Sequence, residues 1–159
     1  LGRNEDAARL QRHVYYGHLR IFGEDHGRTI VSAYNCASTL GELRDYKEVK
    51  DILRRTMPST RRVLGESHEV TFRARNTYAK ALYKDPSATL DDLREAVATL
   101  EDTIRIVRRV LGGAHPLLVN IENTLQISRK GLRRLRARDG AALLRRVPLR
   151  ALPAGNQAL

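Results

Sequence analysis

One short phrase occurs three times in this 159-residue chain: IFGEDHGRT at residues 21–29, VLGESHEVT at 63–71 and VLGGAHPLL at 110–118. Its glycines, Gly23, Gly65 and Gly112, are 42 and 47 residues apart, and His26, His68 and His115 keep both spacings. Self-similarity at such a period is the signature of a repeat architecture, and it constrains the fold more than any local propensity. The phrase reads as a helix stop followed by a helix start. Each glycine follows an apolar residue (Phe22, Leu64 or Leu111) and suits the left-handed conformation that closes a helix. Two residues later Asp25 and Ser67 are the expected N-caps, while the third copy has Ala114 followed by Pro116, a first-turn residue.

The segments between the phrases carry helical spacing. Leu93, Ala96, Val97, Leu100, Ile104, Val107 and Leu111 fall on one face of a helix predicted over 91–111. Further helices are predicted over 5–22, 29–43, 47–64 and 71–83, and no segment alternates as a strand would. Pro58 is expected to kink or split the helix over 47–64. The expected fold is all-α: about six helices stacked in antiparallel pairs.

Cys36-Ala37-x-x-Leu40 and Tyr78-Ala79-x-x-Leu82 share a large-small-x-x-large pattern, and Tyr46, Glu48 and Val49 then Leu93, Glu95 and Ala96 follow in phase. Together with the boundary phrase, these motifs resemble the tetratricopeptide repeat in the 42-residue variety of kinesin light chains. The resemblance covers roughly residues 5–135 and implies a short right-handed solenoid. Arg44 stands where that family often has glycine, residues 84–92 hold about five extra residues, and Gln126 and Arg129 replace core positions of the third copy. That copy reads as a polar-faced helix capping the stack. The domain is expected to span 1–138, with repeat boundaries near 23, 65 and 112, followed by a basic tail over 139–159 that is irregular after Pro148.

The resemblance implies a concave groove lined by the first helix of each pair. It places there Tyr34 and Ser38, then Arg73, Asn76, Lys80 and Tyr83, then Asn120, Asn123 and Ile127. Asn76 and Asn123 take equivalent places, where the family's asparagines hold a peptide main chain. Arg73 and Lys80 lie one turn either side of Asn76 and favour an acidic peptide or a free carboxylate. The plainer account is a solvated polar helix face.

The net charge of +11 supports an acidic partner. The surplus is concentrated at one end, where residues 116–159 hold nine Lys and Arg against Glu122 and Asp139. Arg129, Lys130, Arg133, Arg134, Arg136 and Arg138 extend the last helix, and Arg145 and Arg146 follow. This patch reads as a solvated charge run, as a dock for an acidic protein, or as an anion or RNA contact. It lacks the aromatic residues of single-strand recognition.

No constellation for catalysis is evident. Cys36 takes a core position and reads as a buried structural thiol. His26, His68 and His115 would lie roughly 10 Å apart in successive layers, too far to share a metal ion. His13 and His18 lack partners, Glu24 and Asp25 read as solvated, and GGAH at 112–115 lacks the lysine of a phosphate loop. No cofactor or metal is expected. No apolar run spans a membrane, and a cytoplasmic location is expected. The function indicated is a non-enzymatic scaffold that binds an acidic peptide or helix. The alternatives are a structural subunit of a large assembly and an anion or RNA binder. Two and a half repeats are near the minimum for stability, which suggests a larger parent chain or a constitutive complex.

Overall fold

The computed structural model describes residues 2–146, with side chains to residue 139. The order of elements is α1 (Gly2–Phe22), α2 (Gly27–Glu42), α3 (Tyr46–Leu64), α4 (Glu69–Lys84), α5 (Leu90–Leu111) and α6 (Pro116–Arg146). The described residues are all-helical, with no strand. Each helix packs on the next; α2 also packs on α4, and α4 on α6. The central helix α4 therefore touches four others, and it is buried nearly all round: Phe72, Ala74, Tyr78, Ala79, Ala81 and Leu82 join the core. The helices α3 and α5 bury one stripe each, as amphipathic helices at a surface do. None of the described helices is long and apolar enough to cross a membrane.

The three phrases are reversals. The N–H groups of Gly23, Gly65 and Gly112 donate to the carbonyls of Leu19, Arg61 and Arg108, the last turn of each helix. Their φ angles are 79°, 89° and 83°. The ψ angles of Gly65 and Gly112 are 163° and 168°, which corrects the expected left-handed helical conformation to an extended one that only glycine occupies freely. The caps are corrected too. The N-caps of α2 and α4 are His26 and His68, one residue beyond Asp25 and Ser67. Their Nδ1 atoms accept from the amides of Arg28 and Val70 at 3.2 and 3.1 Å. The Nδ1 of His115 accepts from Leu117 N–H at 3.2 Å in the same way. A ring nitrogen accepts only when it carries no proton, so each cap requires the tautomer protonated at Nε2.

Glu24 and Asp25 are exposed, as expected, and are also paired. Glu24 pairs with Arg55 at 2.6 Å, and Asp25 accepts from Ser59 at 2.6 Å and from Arg62, so the α1–α2 reversal is tied to α3. The expected split at Pro58 does not occur: α3 continues from Tyr46 to Leu64, with Pro58 exposed and its missing N–H costing one bond. The expected domain division between residues 138 and 139 falls inside α6. The tail beyond Pro148 lies outside the described residues, as do the side chains of Arg145 and Arg146.

The longer α4–α5 connection is held by one ion pair. Asp85 caps the end of α4, accepts from Lys50 Nζ at 2.6 Å and turns back on the Ser87 amide and hydroxyl at 2.8 and 2.6 Å. Lys50 first, then Ser87, holds the Asp85 carboxyl at about 2, below its ordinary 3.8. A depressed carboxyl stabilises the fold fully above its unfolded value, and that contribution fades as pH falls through the folded one. Acid titration of urea stability is expected to show a loss between about pH 4 and 2 that Asp85→Asn removes. At the reversals, Gly65→Ala meets no atom within 4 Å and is penalised by backbone alone, so unfolding should show a loss of about 1–3 kcal/mol. Gly17→Ala, equally open but mid-helix, should gain about 0.5–1 kcal/mol.

Candidate functional site

Six of the nine residues expected in a groove are brought to one cleft. It has a volume of about 560 Å3 and is lined by Tyr34 and Ser38 of α2, Arg73, Asn76 and Lys80 of α4 and Asn120 of α6. Glu69, Thr77, His115, Pro116 and Leu117 complete the wall. Helical spacing places Arg73, Asn76 and Lys80 on one face of α4, and the direct packing of α2 and α6 on α4 sets that face between them.

The polar groups are already partly engaged. Asn76 is only 5% exposed; its Nδ2 donates to Asn120 Oδ1 at 2.8 Å, and its own Oδ1 is buried without a partner. Lys80 Nζ donates to the same Asn120 oxygen at 3.2 Å and meets no carboxylate among the described residues. Burial, then the charge of Lys84, pulls the Lys80 ammonium below the usual lysine range. Arg73 is more strongly compensated: Glu69, one turn earlier, pairs with it at 2.6 Å. Glu69 was not foreseen in the groove, although an i,i+4 Glu–Arg pair on α4 is readable from the sequence.

A second cleft of about 540 Å3 adjoins the first and shares Ser38, Thr77 and Lys80 with it. Gly41, Glu42, Arg44, Tyr46, Val49, Ala81 and Lys84 form the rest of its wall. Arg44 was noted in the sequence only as a departure from glycine, and nothing there placed it beside Lys80.

Three expected groove residues lie elsewhere. Tyr83 is half-buried and lines neither cleft, and burial raises its phenol above the ordinary range. Asn123 is exposed and Ile127 is 49% exposed on α6, outside both clefts. Cys36 is fully buried, and that burial pushes its thiol up to about 11, so it is protonated at neutral pH. On α6, Arg129 pairs with Glu101 at 2.7 Å, while Lys130, Arg133, Arg134, Arg136 and Arg138 are exposed.

No protein-family model, curated protein or solved structure matches the chain.

The two asparagines given equivalent roles by spacing therefore differ physically, and stability measurements separate them. Asn76→Ala removes a buried amide and the bond it donates to Asn120 and should cost about 1–2 kcal/mol in chemical denaturation. Asn123→Ala changes an exposed amide and should stay within about 0.5 kcal/mol.

Proposed function

We propose that the chain is a non-catalytic interaction module, a short tetratricopeptide-like solenoid of the kinesin-light-chain variety, that binds an acidic peptide or helix along α2, α4 and α6. The observation that carries the reading is the pair of adjoining clefts, with Lys80 at their junction and no carboxylate bonded to it. The helix order supports the solenoid: α2, α4 and α6 pack directly on one another in sequence, while α1, α3 and α5 pack only on their chain neighbours. That spacing is what a row of helix pairs curved toward α2, α4 and α6 would have.

The chemistry suits an extended acidic ligand. The orphan Oδ1 of Asn76 can accept a peptide N–H if the asparagine yields slightly toward the cleft. Lys80 offers its ammonium to a carboxylate at the cost of one weak contact with Asn120. Arg73 contributes less, because Glu69 already neutralises it.

A second reading is favoured by one observation. The exposed run of Lys130, Arg133, Arg134, Arg136 and Arg138 on α6 forms a basic face that could hold RNA or fix the chain in a larger assembly.

Fluorescence anisotropy with labelled Glu-rich peptides of twelve residues tests both. Binding to the native chain should weaken about tenfold or more in Lys80→Glu with far-UV dichroism unchanged. Equal binding removes the groove reading. If neutralising the α6 arginines abolishes binding instead, and RNA competes with a steep salt dependence, the second reading stands.

A further inference from the structure

The α2–α3 connection carries the one described non-glycine residue with positive φ: Arg44, at 62°. Its place is the left-handed position of a Schellman closure. The Arg44 amide donates to Gly41 O at 3.2 Å and the Asp45 amide to Leu40 O at 3.0 Å. Glycine is the usual residue there, because a side chain at positive φ crowds the following carbonyl. Nothing in the closure uses the arginine itself. Among the described residues Arg44 makes no ion pair, and its side chain is exposed toward the cleft it lines with Lys80 and Lys84.

Among the described residues neither of those lysines meets a carboxylate either. Glu42 is the only acidic residue of the described wall, so three cations against one anion leave a surplus of two. Ser38, Tyr46 and Thr77 supply hydroxyl donors around the same space. Two other basic clefts keep one unpaired arginine each among the described residues. Where Arg61, Arg75, Arg105 and Arg109 gather, Glu66 and Asp102 pair with the first three; on α1, Arg9 and Arg12 pair with Asp6 and Glu48, and Arg20 is left.

We propose that the cleft bounded by Arg44, Lys80 and Lys84 is a phosphate-monoester site, with Arg44 held in a strained backbone conformation because its guanidinium binds the ligand. A surplus of two positive charges matches a group carrying about −1.5 to −2 at neutral pH better than it matches a single carboxylate. The inference names the acidic group of the peptide proposed above and rests on that reading for the ligand's identity. The chemistry of the site can be tested without any peptide.

Two-dimensional amide NMR of the whole chain, titrated with inorganic phosphate, O-phosphoserine and acetate, provides the test. Phosphate and phosphoserine should shift Arg44, Thr77, Lys80 and Lys84 saturably, with acetate at least about tenfold weaker. Tighter binding of phosphoserine points to a modified peptide side chain, and tighter binding of inorganic phosphate to the free ion; both support the site. Arg44→Gln should weaken phosphate about tenfold or more. Arg44→Gly should lose binding equally while Tm holds or rises by about 2–4 °C, because the strain goes with the side chain. Equal affinity for acetate, native affinity in either variant, or a lower Tm for Arg44→Gly would overturn the proposal. Acidic-peptide binding that is lost in Lys80→Glu but insensitive to phosphate would leave the groove standing and remove this site alone.

Discussion

A glycine at positive φ with ψ near 165° cannot continue a helix, and the histidine three residues later can start one at once. That three-residue interval is the constraint on which the rest of the packing depends. Gly23, Gly65 and Gly112 end α1, α3 and α5 with a completed backbone bond, and His26, His68 and His115 accept one otherwise orphaned amide in the next helix. With so short a connection the following helix must return along the one before it. The reversal is then fastened from outside at the first copy, by Glu24 and Asp25 on Arg55, Ser59 and Arg62. Repeating this joint places α4 between α2 and α6, where it is covered on nearly every side.

A helix covered so completely must bury some of its polar residues, and α4 does so on two sides. Toward α6, Asn76 bonds to Asn120. Toward the other side, Arg75 is 4% exposed, meets Glu66 and leaves its Nε without a partner. Burial lowers the Arg75 pKa, with Glu66 opposing, so this guanidinium is held by its partner at a desolvation cost. Nearby, Tyr78 donates to Glu95 at 2.7 Å and accepts from Arg54 at 3.0 Å, and burial first, then Glu95, pushes its phenol up to about 12. Long side chains thus bridge α3, α4 and α5. The backbones of α2, α4 and α6 approach directly, with small core residues such as Ala33, Ala37, Ala74 and Ala81 on α2 and α4.

The helices were legible because their signals are local. The apolar stripe predicted over 91–111 became Leu90–Leu111, and α3 and α4 were read to within two residues at each end. What was not legible depends on residues far apart or on an uncommon use of a side chain. Histidine is not among the preferred N-cap residues, so local preference points to Asp25 and Ser67 although the imidazoles do the capping. The ion pairs of Glu24 and Asp25 join residues 31 and 37 apart, and the Asn76–Asn120 bond spans 44. Asn123 shows why repeat position alone misleads. It occupies on α6 the position that Asn76 occupies on α4, but α6 covers Asn76 and no described helix packs beyond α6 to cover Asn123. The same position is therefore buried in one copy and solvated in the other.

The distribution of charge follows from the same packing. Across α1, α3, α5 and the α1–α2 turn, arginines are spent on neighbours: Arg12 on Glu48 at 2.5 Å, Arg54 on Glu95 at 3.6 Å, Arg55 on Glu24. Such exposed pairs add little stability singly, but they cancel charge where they form. On the side of α2, α4 and α6 the direct approach of the backbones leaves less need for bridging pairs, and Arg44, Lys80 and Lys84 remain uncompensated around one recess. Single free cations elsewhere are screened within about 10 Å in ordinary salt. Several in one concavity reinforce each other over that distance, so the free cations of the recess act together on an anionic ligand there. The packing that drives acidic partners onto the outer arginines is thus what leaves the inner cations open to a ligand from outside the chain.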